Sequence, residues 1–220
     1  MNRPIVLGIT GASGAPYAVR LLETLLAAGR DVHLSISTAG AAVLKQELAL
    51  EVDLNNFEMA AILPPVEDLP EDSPSRRYRV RVRGHEPAAL AGLVHYHHQY
   101  DLMSSIASGS FLTDGMVISP CSGGTLSAVA HAASGNLIQR AADVHLKERR
   151  KLILVPREAP LSLIQIDNLR RCAEAGAIVL PASPGFYHGV DRLSDLVDFV
   201  VARICDQLEV EHRLMPRWGE

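Results

Sequence analysis

The chain has only three cysteines in 220 residues, at positions 121, 172 and 205, with no C-x-x-C pair. That scarcity excludes a disulfide framework and a cysteine-built zinc site, and it suits a reducing compartment. Aromatic residues make up 5% of the chain, too few for base-stacking platforms, and the formal net charge of −4 argues against a broad basic surface for nucleic acid. No apolar run approaches the length of a membrane-spanning helix. The run Ile5–Ile9, after Met-Asn-Arg-Pro, is too short for a signal peptide before Gly and Ser intervene, so a cytoplasmic location is expected. Nor do the nine histidines show metal-ligand spacing. The densest group, His95-Tyr-His97-His98, has no carboxylate at helical spacing, and no metal is expected.

What is present points to a packed α/β domain. The chain is 48% hydrophobic and 21% charged, and its length suits one domain over residues 1–220. Pro4–Thr10 reads as a strand, Ala15–Ala28 as a helix with a Gly29 stop, Asp31–Ser37 as a strand and Thr38–Leu50 as a helix. The rhythm returns with a strand at Met116–Pro120 and helices at Gly124–Ala133 and Leu137–Arg149. A strand at Lys151–Val155, a helix at about Leu163 to Ala175, a strand at Ala177–Pro181 and a helix at Leu193–Leu208 follow. Alternation of this kind predicts a Rossmann-like (flavodoxin-like) three-layer fold, with a mostly parallel sheet and helices on both faces.

Residues 51 to about 104 break the pattern and read as an excursion from the sheet. Within it, Tyr78-Arg-Val80-Arg-Val82-Arg alternates like a solvent-facing edge strand, and the basic run Arg76–Arg83 reads as its solvated face. A tail at about 209–220 carries the only tryptophan, Trp218, an apolar anchor expected to dock on the core or on a neighbouring subunit.

Chemistry gathers at four strand ends, where ligands bind in parallel sheets. The first is Gly8-Ile-Thr10-Gly11-Ala-Ser13-Gly14, a glycine turn into a helix. It is either a plain tight turn or a cradle for a phosphate or the phosphate end of a mononucleotide such as FMN. Its glycine spacing is not G-x-G-x-x-G, and it lacks the lysine of a P-loop. The second, Ser119-Pro-Cys121-Ser122-Gly123-Gly124-Thr125, offers hydroxyls and amides, and Cys121 reads as an inert buried thiol rather than a nucleophile. The third, Val155-Pro-Arg157-Glu158-Ala-Pro160, is either a surface ion pair or a stiffened site able to hold an anion and move a proton. The fourth, Pro181-Ala-Ser-Pro184-Gly185-Phe186-Tyr187-His188, puts a phenol and an imidazole on a loop. Between them, the cationic helix from Arg140 to Arg150 reads by itself as an ordinary amphipathic helix.

Taken together, these segments resemble the UbiX/Pad-type flavin prenyltransferases. The matching pieces are Thr10-Gly-Ala-Ser-Gly-Ala15, Ala107-Ser-Gly-Ser110, Pro120-Cys-Ser122, Gly124-Thr125-Leu-Ser127 and Asn136-Leu-Ile-Gln-Arg140-Ala-Ala-Asp143. They continue with Leu146-Lys-Glu-Arg-Arg150, Val155-Pro-Arg-Glu-Ala-Pro160, Pro184-Gly-Phe-Tyr187 and Pro216-Arg-Trp-Gly219. Each is weak alone; their order from near one terminus to the other makes the joint match specific. Residues 51–104 match poorly.

The resemblance implies a metal-independent, homo-oligomeric enzyme, often a dodecamer with sites between subunits. It would join a dimethylallyl group from dimethylallyl monophosphate or diphosphate to N5 and C6 of reduced FMN, giving prenylated FMN for a UbiD-type decarboxylase. By the same resemblance Thr10, Gly11, Ala12, Ser13, Ser37, Ser122, Thr125 and Arg140 match flavin-site positions. Lys147, Arg157, Tyr187 and Arg203 match the set that holds the prenyl phosphate. Glu158 matches the acid/base, and Ser13 and Glu47 match further catalytic positions. Two other readings are a flavin-dependent decarboxylase of the related cysteine-decarboxylase group and a non-catalytic FMN-binding protein. The first leaves the four-residue phosphate set unexplained.

Overall fold

A computed structural model describes residues 2–79, 90–187 and 189–217. Six parallel strands form one sheet: β1 (Ile5–Ile9), β2 (Val32–Ile36), β3 (Val94–Tyr96), β4 (Gly115–Cys121), β5 (Leu152–Pro156) and β6 (Ile178–Val179). Their spatial order is β3-β2-β1-β4-β5-β6, the doubly wound order of dinucleotide-binding folds. Without the three-residue edge strand β3, the remaining five read 2-1-3-4-5, the flavodoxin order, so both fold labels describe the same sheet. The order reverses between β1 and β4, which makes the crevice beyond their C-terminal ends the place for a ligand.

The central strands are apolar on both faces because both faces are covered. Ile5, Leu7 and Ile9 of β1, with Val117 and Ile153, point into one core. That core is closed by α1 (Ala15–Ala27), α2 (Thr38–Leu48) and α8 (Leu193–Leu208). Val6, Met116, Ile118, Leu152 and Leu154 point into the other, closed by α5 (Gly123–Ala130), α6 (Leu137–Lys147) and α7 (Leu163–Glu174). Strands buried on both sides lose the polar alternation of a half-exposed sheet. On α1, Leu21, Leu22, Leu25 and Leu26 are fully buried, and truncating any one to alanine would cost about 2–5 kcal/mol.

The excursion at 51–104 needs correcting in two places. First, it returns to the sheet: β3 pairs in parallel with β2 (Val32 with Val94, Leu34 with Tyr96), so the segment supplies an edge strand. Second, Tyr78 and Arg79 belong to a short helix, α4 (Pro74–Arg79), not to an edge strand. Its start is a helix-entry signal: the Ser73 hydroxyl accepts from the Arg76 amide at 3.2 Å, and Pro74 occupies the first helical position. The rest of the alternation, from Val80 to Arg83, lies outside the described residues, as do His188 and Trp218. Ahead of α4, α3 (Met59–Ile62) and a 3-10 turn at Val66–Asp68 carry the chain across the α1–α2 side.

Candidate active site

The site is assembled by a clasp between two loops. The Thr10 hydroxyl, buried after β1, donates to the carbonyl of Pro120 at 2.7 Å and accepts from the Ser122 amide at 2.9 Å. One side chain thus locks the ends of β1 and β4 together at the reversal point. The donor of Thr10 and one of its acceptor positions are thus already used inside the protein.

On each side of this clasp a helix begins. Ser37 caps α2 by accepting from the Gly40 amide at 3.0 Å, and Ser122 caps α5 by accepting from the Thr125 amide at 3.3 Å. Thr125 also accepts from the Ser122 hydroxyl at 3.1 Å. A cap of this kind occupies the third amide of each helix and leaves the first two, Thr38 and Ala39 in α2 and Gly123 and Gly124 in α5, without an intrahelical acceptor. Between these helices runs Gly11-Ala12-Ser13. A Cβ on Gly11 would lie 2.4 Å from that of Ala39, so only glycine lets the loop lie this close to the start of α2. A Cβ on Gly124 would meet nothing within 4 Å, so the start of α5 borders open space.

The start of α1 is different. Glu47 reaches across from α2, and one oxygen accepts from the amides of Gly14 and Ala15, both at 2.9 Å. The helix end that the glycine turn would have offered to a phosphate is already met by a carboxylate. The helix-start amides left without a carboxylate partner at this edge are those of α2 and α5. Gly14 has φ 127°, a backbone conformation open to glycine, and Tyr17 packs against it. Burial raises the pKa of the Tyr17 phenol, with Tyr78 and Glu47 adding to the effect and Arg157 opposing it.

Arg157 and Glu158 follow β5 at the same edge. Arg157 Nε donates to the carbonyl of Ser13 at 3.2 Å, which ties the third loop to the first. Glu158 accepts from the Gln165 amide nitrogen at 3.4 Å. Gln165 is itself fixed, because its oxygen accepts from the Ser162 amide at 3.1 Å in the capping box that starts α7. Gln165 and Tyr17 are site residues that the sequence reading missed. The Ser162-x-x-Gln165 spacing was the available signal for the first.

The expected phosphate set is not brought together within one chain. Lys147 ends α6 and pairs with Glu148, beside Gly109 and shortly before β5 begins at Leu152. Glu158 lies past the other end of β5, about 15 Å of strand away. Arg203, in the second half of α8, pairs with Asp206 at 2.7 Å, and α8 ends at Leu208 against Gly115, the first residue of β4. Tyr187 packs edge-on against Phe199, with ring centres 5.8 Å apart, so Tyr187 and Arg203 share one face of α8. Arg140, in the first turn of α6, holds Asp143 at 2.9 Å and the Ala107 carbonyl at 3.2 Å.

Cys121 is buried, and that burial pushes its pKa upward, which fits an inert thiol. His95 and His97 do cluster, with His33 rather than with carboxylates. His33 Nδ1 lies 2.8 Å from His97 Nε2, and His97 Nδ1 lies 2.8 Å from the Ser104 hydroxyl. Among the described residues no group of three or more His, Cys, Asp or Glu could hold a metal ion, and no helix is long and apolar enough to cross a membrane.

A model of the flavoprotein family matches residues 1–205. A flavin prenyltransferase UbiX of Pseudomonas aeruginosa is 45% identical over 216 residues, covering 98% of this chain and 94% of the relative. A UbiX enzyme crystallised with FMN and dimethylallyl pyrophosphate is 32% identical, covers 100% of this chain and 99% of that one, and superposes with a TM-score of 0.79. A dodecameric FMN-dependent UbiX-like decarboxylase from Escherichia coli O157:H7 is 33% identical, covering 99% and 100%, with a TM-score of 0.76. The agreement spans every strand-end loop that builds the crevice, and the chain belongs to the flavoprotein family, among the flavin prenyltransferases of the UbiX type.

Proposed function

We propose that this chain transfers a dimethylallyl group from dimethylallyl monophosphate to N5 and C6 of reduced FMN, and hands prenylated FMN to a UbiD-type decarboxylase. The observation that carries the reading is the gathering of two open helix starts, a glycine loop and the Arg157-Glu158 pair at one sheet edge, tied by Thr10 and Ser13. These residues fit FMN. The amides and hydroxyls at Ser37 and Ser122–Gly124 suit a phosphate monoester and a polyol, and the absence of a Cβ at Gly124, where nothing lies within 4 Å, leaves backbone surface for a flat ring. Reduced FMN, when bound, would supply N5 and C6, the two atoms that bond to the two ends of the allylic unit.

The chain's own residues manage charge and protons. Negative charge grows on the leaving phosphate as the allylic C–O bond breaks, and Arg157, anchored through Nε, has its terminal nitrogens available to neutralise it. Ring closure releases a proton, and Glu158, oriented by Gln165 beside Arg157, is assigned as its relay. Ser13 and Glu47 complete the assigned group by shaping the loop over the start of α1.

Lys147, Tyr187 and Arg203 are assigned to the prenyl phosphate of a site completed by another copy of the chain in a homo-oligomer, as a dodecamer. The assembly of the Escherichia coli relative supports this. So do Leu163 and Ile164, each 74% exposed just after Glu158, which form an apolar surface suited to cover.

The test is to mix protein, FMN, a reductant and dimethylallyl monophosphate without oxygen and to look for the mass of a prenylated flavin. No adduct with monophosphate or diphosphate, despite FMN binding, would overturn the reading. The competing reading is direct decarboxylation, the activity named for the Escherichia coli relative. Release of CO2 from an aromatic acid, with FMN but no prenyl donor, would favour it.

A further inference from the structure

Asp206, in the last turn of α8, is the centre of a network that joins Arg203 to two residues with no assigned role, His212 and Arg217. One carboxylate oxygen accepts from Arg203 Nη1 at 2.7 Å; the other accepts from His212 Nε2 and from Arg217 Nη2, both at 3.1 Å. Arg203 is on the helix, whereas His212 and Arg217 come from the tail that follows it. The tail is held down by buried Val210, by the almost fully buried His212 side chain and by Leu214, which packs on the core. Burial by itself would push the Asp206 carboxyl up. The hydrogen bonds from His212 and Arg217 outweigh it and hold the group below the usual carboxylate range.

Two guanidiniums and one carboxylate leave an excess positive charge at this spot. Each arginine spends part of its fork on Asp206, and the two side chains remain 49% and 57% exposed. A guanidinium has five N–H donors in a rigid plane, so donors on both remain for an external anion. The shared carboxylate sets their separation, because each is bound to a different oxygen of it. Two fixed forks with donors to spare suit a phosphate better than one fork can.

We infer that Arg217 is a second guanidinium at the Arg203 phosphate position, and that Asp206 is the positioning residue that holds the two side by side. The inference rests on the assignment of Arg203 to the prenyl phosphate. It gives the tail a role as the carrier of a substrate contact, supplied to the same phosphate as Arg203.

The experiment measures adduct formation against dimethylallyl monophosphate concentration for wild type, Arg217→Ala, Asp206→Asn and the double variant, with FMN affinity and melting temperature followed in parallel. Arg217→Ala is expected to raise KM for the prenyl donor about tenfold or more, the worth of a charge-assisted hydrogen bond, with kcat and FMN affinity little changed. Inhibition by inorganic phosphate should weaken by a similar factor. Asp206→Asn should raise KM likewise, the double variant should add little beyond either single change, and Asp206→Glu should restore part of the loss. An Arg217→Ala protein with wild-type KM and wild-type phosphate inhibition overturns the inference, whatever Asp206→Asn does to folding. Wild-type protein that binds FMN and makes no adduct overturns the underlying functional reading instead. Phosphate inhibition through Arg203 and Arg217 can still be sought in that case, by phosphate titration of the FMN-loaded protein.

Discussion

Glu47 of α2 caps the start of α1, accepting from the Gly14 amide at 2.9 Å and from the next amide with the same oxygen. This contact holds the glycine loop against α2 and places a negative charge where the helix dipole welcomes it. Glu47→Ala should therefore lower stability by about 1–2 kcal/mol, the usual worth of a lost cap. FMN affinity should fall with it as the loop loosens. Glu47→Gln retains an acceptor and should keep both within a small margin while slowing turnover. Thermal melts and flavin fluorescence titration separate the two effects; a Gln variant with full turnover would leave Glu47 a cap and nothing more.

Thr10 closes the clasp between β1 and β4. Thr10→Val keeps the shape but strands the Ser122 amide and leaves the Pro120 carbonyl with only the residue-10 amide, at 3.3 Å. The expected cost is about 1–3 kcal/mol, with weaker FMN binding, whereas Thr10→Ser should recover most of both. Equal FMN affinity in the Val and Ser proteins would show that the clasp does not shape the flavin site.

Among the described residues, Gln165 is the one hydrogen-bond partner of Glu158. Glu158→Gln is expected to slow adduct formation by about 100-fold, typical of a lost general acid or base, with FMN affinity nearly intact. Gln165→Ala should produce a smaller loss in the same direction, because it releases the carboxylate without removing it. If Glu158→Gln abolished flavin binding, the proton-relay role would be wrong.

Stability should fall on mild acidification. Burial lowers the pKa of His33 to about 4, with His97 and His95 adding to the effect. Burial also lowers His145 to about 4, although the hydrogen bond to the Ala141 carbonyl opposes it. Both stay neutral in the folded protein while their unfolded counterparts take up protons below about 6.5. The unfolded state thus binds more protons between pH 6.5 and 4, and stability is lost as pH falls through that window. The slope is at most about 1.4 kcal/mol per pH unit for each histidine. Urea unfolding at pH 7 and at pH 4.5 measures it. His145→Gln should reduce the slope, and a flat profile would rule out this linkage.

The regular elements were legible because strand and helix periodicities are local. Each core strand reads as an apolar run, and the breaks at Gly11, Gly29 and Gly176 fall where turns are needed. β3 was not legible: Val94-His95-Tyr96 is three residues long, half-polar and at the sheet edge, where no apolar run is required. The strand reading of Tyr78-Arg79 failed because alternating arginines imitate a pleat, while Ser73-Pro74 had already begun a helix.

By itself, the sequence determined the order of strands and helices, the four polar strand-end loops and a joint match specific enough to name a family. These depend on residue type and spacing along the chain. Only the tertiary structure decided how those loops divide the work. It met the α1 start with Glu47, left the α2 and α5 starts open, tied Arg157 to Ser13 and kept Lys147 and Arg203 away from the Glu158 edge. Contacts such as Ser13–Arg157, 144 residues apart, and Arg203–Asp206–Arg217 arise from packing two layers of helices on a twisted sheet, which no local pattern encodes.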